Sequence, residues 1–197
     1  MQSITQGFVS DSTWRYYLYQ QLRNAGYGVD FVGSQHTLTD GYDPHLDYDQ
    51  DHEGHSGWRA DQVLAQISGW ANSTHPDVVL IHLGTNDLRA GQTPQSTINE
   101  IGQIIDVLRG VNPNVKIVLA QIIPAGDAPA GSVEAFNSLI PGLASSKNTS
   151  ASPIVTVNQY SGFSLSGGDS DDNLHPNNQG DQKMANKWFD ALQSLLA

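Results

Sequence analysis

Three apolar runs, separated by helical stretches, constrain this chain more than any other feature. Asp77-Val78-Val79-Leu80-Ile81-His82-Leu83 is nearly continuous in hydrophobicity. A strand buried on both faces reads this way, and such strands belong to parallel sheets. Val115 to Ile122 and Ile154-Val155-Thr156-Val157 read alike, and Val29-Asp30-Phe31-Val32-Gly33 is a further short strand. Residues 11–26 form a helix with Trp14, Tyr17, Leu18 and Leu22 on one face, Asp11 or Ser12 as its cap and Gly26 at its end. A second helix runs from Ala60 to Ala71 and a third from Thr93 to Gly110. A fourth covers Ser132 to Leu143, with Pro141 as its bend or end. The last starts with Pro176 at its first position and reaches about residue 195. This alternation predicts a three-layer α/β domain with a parallel sheet. The 197 residues suit one core, so 1–197 is read as a single domain.

A doubly wound fold normally places a strand before its first helix, and here only Met1 and Gln2 precede Ser3. The expected sheet therefore lacks its first strand. A gap at a central position exposes two rows of backbone groups. Each group left buried and unpaired costs roughly 1–3 kcal/mol, against a typical stability of about 5–15 kcal/mol. The flanking strands close up, another chain donates a strand, or the sequence belongs to a longer polypeptide.

Composition narrows the function. The formal charge of -11 repels phosphate backbones and anionic lipid, so neither nucleic acid nor membrane is an expected partner. No apolar run approaches the roughly 20 residues that cross a bilayer. A neutral ester or sugar substrate meets no such barrier. The chain has no cysteine, which excludes disulfides, thiolate catalysis and Cys-based zinc sites. Asn72-Ser73-Thr74 and Asn148-Thr149-Ser150 match the N-glycosylation acceptor pattern, and a secreted location is the expectation. The sequence is silent on oligomeric state.

The chemistry concentrates in short segments that follow strands. A serine hydroxyl needs a base within hydrogen-bond reach, and that base benefits from a carboxylate that fixes its tautomer. Asp172-Asn173-Leu174-His175 supplies both from one loop, with Ser3 as nucleophile. Donors for a developing oxyanion are the Asn86 side chain in Gly84-Thr85-Asn86-Asp87, the Gly57 N–H and the Ser3 N–H. Each residue also has a structural role open to it, since Asp-x-x-His can cap a helix and Asn86 or Gly57 can shape a turn. Trp58 packs in the core or stacks on a sugar ring. His82 reads as a core residue. Arg15 orients the catalytic loop or pairs with an acidic neighbour.

These segments resemble the four blocks of the SGNH (GDSL-like) hydrolases. The blocks are Ser3-Ile4-Thr5-Gln6-Gly7, then His52-Glu53-Gly54-His55-Ser56-Gly57-Trp58, Gly84-Thr85-Asn86-Asp87, and Asp172-Asn173-Leu174-His175-Pro176-Asn177. The wording of the second block, with Val29-Asp30-Phe31-Val32-Gly33-Ser34, is similar to carbohydrate esterase family 3, the acetylxylan esterases. The resemblance implies a flavodoxin-like sheet of order 2-1-3-4-5. It implies a metal-independent esterase, without cofactor, that removes acetyl groups from sugar hydroxyls. Met1-Gln2-Ser3 stands where the family reads Gly-Asp-Ser, which with the absent strand predicts weak activity. The alternatives are a broader lipase, thioesterase or arylesterase, and a non-catalytic carbohydrate-binding relative.

The polar loop from about 34 to 57 carries His45, His52 and His55 among Asp43, Asp47, Asp49, Asp51 and Glu53. It fails the EF-hand pattern, because His52 stands at the glycine position and Trp58 at the glutamate position. The expectation is a hydrogen-bonded network that shapes the cleft, with no metal.

Overall fold

The computed structural model describes residues 3–7, 12–39, 41 and 44–196. Met1, Gln2, Asp11 and Asp43, invoked above, lie outside them. The sheet is parallel and three-stranded, in the order β1 (Val78–Ile81), β2 (Lys116–Gln121), β3 (Ile154–Asn158). Ile81 pairs with Leu119, and Leu119 with Thr156. The helices are α1 (Ser3–Gln6), α2 (Trp14–Asn24), α3 (Ala60–Thr74), α4 (Thr85–Arg89), α5 (Pro94–Val111), α6 (Ser132–Lys147) and α7 (Asn178–Leu196).

Strand alternation splits the core in two. Ile117 and Leu119 of β2 face a cluster with Ile67 of α3, Ile101 and Ile105 of α5 and Phe136 of α6. Val118 and Ala120 face the other way, toward Leu18 of α2, Met184 and Trp188 of α7 and Ile4 of α1. The outcome is the expected three layers, with α3, α5 and α6 on one face and α2 and α7 on the other.

Four local expectations are corrected. Val29 to Gly33 is not a strand. A cavity of about 550 Å3, lined by Val29, Phe31, Trp70, Val78 and Leu80, separates it from β1. Without a neighbour at ladder distance it cannot pair, and Phe31 N–H bonds the Asp49 carboxylate instead, at 2.7 Å. The flanking segments therefore do not close up, and among the described residues the sheet has three strands rather than the longer 2-1-3-4-5 order. Pro141 does not end its helix, since α6 continues to Lys147. Proline frees the carbonyl four residues back, and the Gln121 side-chain amide takes that Asn137 carbonyl at 3.0 Å. The N-cap of α2 is Thr13, whose hydroxyl accepts from Tyr16 N–H. Finally, α7 begins at Asn178, and Pro176 pairs with Ser170 in an isolated bridge.

Asn137 also acts as a strand substitute beyond β2. Its Oδ1 accepts from Ile122 N–H at 2.7 Å and its Nδ2 donates to Ile122 O at 2.9 Å, both buried. Asn137→Ala leaves both backbone groups unpaired and is expected to cost roughly 2–4 kcal/mol. In urea unfolding the midpoint falls and the slope stays unchanged; an unaltered midpoint contradicts this role.

Candidate active site

A one-turn helix does not persist by itself, because its final carbonyls lack partners. In α1 each is taken by a side chain from elsewhere. Trp14 Nε1 donates to Ile4 O at 3.1 Å. Arg15, 3% exposed, donates to Thr5 O at 2.9 Å, Gln6 O at 3.1 Å and Gln50 O at 2.9 Å. Arg15 thus orients the segment that presents Ser3, rather than the Asp172–His175 loop.

The glycine block closes on the same segment. A Cβ on Gly54 would stand 2.5 Å from Gln6 N, so only glycine permits this approach. Ser56 N–H donates to Gln6 Oε1 at 2.9 Å. The block is braced by His52, whose Nε2 donates to Thr37 O at 3.0 Å while its Nδ1 accepts from Gly54 N–H at 2.9 Å. That pattern requires a neutral ring. Burial, with a smaller contribution from Arg15, lowers the His52 pKa to about 3. His55 stacks on Trp70 and Trp58 at centroid distances of 4.4 and 4.7 Å and meets Glu53 at 2.5 Å. Glu53 in turn accepts from Ser34 N–H at 2.9 Å. These contacts form the network expected of the polar loop. Trp58 is half-buried against the α3/α5 core.

The base loop arrives from the far end of the sequence. Ser12 N–H donates to Asn178 Oδ1 and Trp14 N–H to Asp181 Oδ1, each at 2.9 Å, so the start of α7 is tied to the start of α2. His175 Nε2 lies 2.9 Å from Ser3 Oγ, and its Nδ1 lies 2.6 Å from Asp172 Oδ2. Asp172 Oδ1 accepts from His175 N–H at 2.7 Å and Leu174 N–H at 2.9 Å. Burial pushes this carboxyl upward, but the hydrogen bonds from the His175 ring and the two backbone N–H groups outweigh it. The pKa settles at about 2. The carboxylate is thus ionised and holds Nδ1 in its protonated tautomer, leaving Nε2 to accept from the serine hydroxyl.

Asn86, 8% exposed, stands at the carboxyl end of β1 and donates through Nδ2 to Trp58 O at 3.0 Å. Arg89 Nη1 donates to Asn86 Oδ1 at 3.2 Å. Gly57 lies in an exposed turn at φ +77°. Direct contacts therefore run from His175 to the Ser3 segment, to the glycine block, to Trp58 and to Asn86. Sequence reasoning missed Arg89 and the short helix α4 it ends, for no periodic pattern marks a five-residue helix.

Asp87 next to Asn86 is fully buried and accepts from Ala60 N–H at 2.8 Å, which anchors α3; burial raises its pKa. Among the described residues, the acidic groups close enough to share a cation are Asp61, Asp87 and Glu100, with oxygens within 4.8 Å of one another. Asp61 already pairs with Arg59 and Glu100 accepts from Gln92. His82 is a core residue, as expected, and its Nε2 accepts from Ile123 N–H at 3.2 Å.

With this geometry in place, the profile of the GDSL-like lipase/acylhydrolase family matches residues 3–183. The chain belongs to that family. It is similar to a carbohydrate esterase family 3 structure from Talaromyces cellulolyticus, at 36% identity and a TM-score of 0.86, covering 95% of this chain and 93% of that one. It is similar to a family 3 carbohydrate esterase of Clostridium thermocellum, at 31% identity and a TM-score of 0.83, covering 99% and 93%. An acetyl esterase mutant solved with acetate ion matches at 36% identity and a TM-score of 0.86, covering 95% and 93%. A multidomain esterase of Ruminococcus flavefaciens is 28% identical over 220 residues, which is 98% of this chain but 28% of that protein. A protein of Acetivibrio thermocellus is 30% identical over 68% of this chain and 58% of its own length. The chain thus spans less than two thirds of both of these relatives.

The neutral His52 makes stability depend on pH. Its folded value, about 3, lies below the ordinary 6.5, so the unfolded chain takes up the extra proton. This contribution is whole above about pH 6.5 and is lost as pH falls toward 3. His52→Gln, which can keep both hydrogen bonds, is expected to flatten the decline between pH 6 and 4 by about 1.4 kcal/mol per pH unit. Denaturant unfolding across that range checks it, and an unchanged slope means His52 is not held neutral.

Proposed function

We propose that this chain is a secreted serine esterase that removes acetyl groups from acetylated polysaccharide such as xylan. The observation that carries the reading is the hydrogen-bonded line from Ser3 Oγ through His175 to Asp172, at 2.9 and 2.6 Å. Ser3 Oγ attacks the acetyl carbonyl as its proton passes to His175 Nε2. Asp172, already ionised, stabilises the imidazolium. Ser3 N–H, Gly57 N–H and an Asn86 Nδ2–H receive the oxyanion. The tetrahedral intermediate collapses, and His175 returns the proton to the departing sugar oxygen. Water, with His175 as base, then frees acetate and restores Ser3.

The acetyl and carbohydrate parts of the reading are supported by the family 3 carbohydrate esterases and the acetate-bound acetyl esterase to which the chain is similar. Trp58, partly exposed beside Gly57, is the ring on which a sugar would stack. Ester hydrolysis at this site needs no metal or cofactor.

The reading includes weak activity from the chain as it stands. Among the described residues no strand pairs with the outer edge of β1, and Thr5 and Arg15, which carry and brace the Ser3 segment, line the cavity beside it. An extended apolar strand joined ahead of Met1 is expected to fill that cavity, steady Ser3 and raise kcat/KM for 4-nitrophenyl acetate. Equal rates with and without the strand contradict this part.

Acetate release from acetylated xylan and a series of 4-nitrophenyl esters test the whole reading. Ser3→Ala and His175→Ala are each expected to lower kcat by roughly a thousand-fold or more, and Asp172→Asn by less. Acetyl esters turn over faster than butyryl or longer ones. A fluorophosphonate labels Ser3 in the folded wild type. Undiminished turnover by Ser3→Ala rejects the serine mechanism, and a preference for long acyl chains rejects the substrate.

A further inference from the structure

Arg89 reaches back one turn of α4 to the amide that receives the oxyanion in the reading above. Its Nη1 donates to Asn86 Oδ1 at 3.2 Å, while Asn86 Nδ2 donates to Trp58 O at 3.0 Å. The amide is held at both ends. Turned over, it would set its oxygen against the Trp58 carbonyl and its NH2 against a guanidinium. One Nδ2–H remains for a substrate oxygen. A cation on the amide oxygen also draws electron density from the group and strengthens that N–H as a donor.

Arg89 is itself clamped. Its Nε meets Asp127 Oδ1 at 2.7 Å and its Nη2 meets Asp127 Oδ2 at 2.5 Å, a fork-to-fork pair. Asp127 lies in the segment after β2, and that segment is pinned on its other side. Gly126 N–H donates to Asn173 O at 2.9 Å. A Cβ on Gly126 would crowd Asn173 Cβ and O at 3.0 Å. Asn173, at φ +64°, lies in the loop that bears Asp172 and His175. A continuous set of contacts therefore runs from the loop after β1, through the loop after β2, to the loop after β3.

Resting on the esterase reading, we propose that Arg89, braced by Asp127, is a positioning residue. It aims the Asn86 amide at the oxyanion and ties that amide to the loop carrying the base. The pair is solvent-accessible, with side chains 34% and 52% exposed, so its worth to global stability is small. A role in aiming Asn86 thus predicts a loss in turnover without a matching loss in thermal stability.

The test is a double-mutant cycle on acetyl ester hydrolysis, with thermal midpoints measured alongside. Arg89→Met is expected to lower kcat roughly 10-fold, less than the 10²–10³ of a lost oxyanion donor, with KM within about 2-fold. Arg89→Lys recovers part of the loss, and Asp127→Asn shows a smaller loss of the same kind. In the Asn86→Ala background, Arg89→Met costs nothing more, because the group it aims is gone. An equal cost in both backgrounds, or a change confined to KM or to thermal midpoint, overturns the role of Arg89 while leaving Asn86 in place. Full kcat in Asn86→Ala removes Asn86 from the oxyanion site and this inference with it. Full activity in Ser3→Ala would instead reject the esterase reading itself.

Discussion

Everything in this molecule that resembles catalytic machinery depends on one contact, between the Ser3 hydroxyl and the His175 imidazole, 172 positions apart. No local preference brings them together. Ser3 sits on a single helical turn whose carbonyls are held by Trp14 and Arg15, and whose backbone is gripped by Gly54. His175 is placed by the bonds of Asn178 and Asp181 to the start of α2. The contact is the meeting point of two separately anchored chain ends.

The parallel sheet makes that meeting possible. All three strands run the same way, so the loops leaving them share one edge. Asn86 follows β1, Asp127 follows β2 and Asp172 with His175 follow β3. Buried polar groups brace these loops through hydrogen bonds, as Asp87 does with Ala60 N–H and His52 with Gly54 N–H. His82 and His52 are kept uncharged by burial, and the Asp172–His175 pair stays partly exposed at the surface.

What could be read in advance follows from how local each cause is. The runs of 77–83, 115–122 and 154–157 declare buried strands because most of their residues are apolar, and the layers follow. Ser3, Asn86, Asp172 and His175 stand out because few residue types can do acyl chemistry. The misses have distant causes. Pro141 ends no helix because Gln121, twenty positions back, satisfies the carbonyl it frees. Val29 to Gly33 has the composition of a strand but no ladder to join. The ion pair between Arg89 and Asp127 joins residues 38 positions apart and leaves no trace in periodicity.

The most direct test is to stop the wild-type enzyme during turnover of 4-nitrophenyl acetate and find the acetyl group by peptide mass spectrometry. The account predicts a transient acetyl ester on Ser3, absent when His175 is replaced by alanine. Turnover without that adduct, or with the acetyl group on another residue, would contradict it.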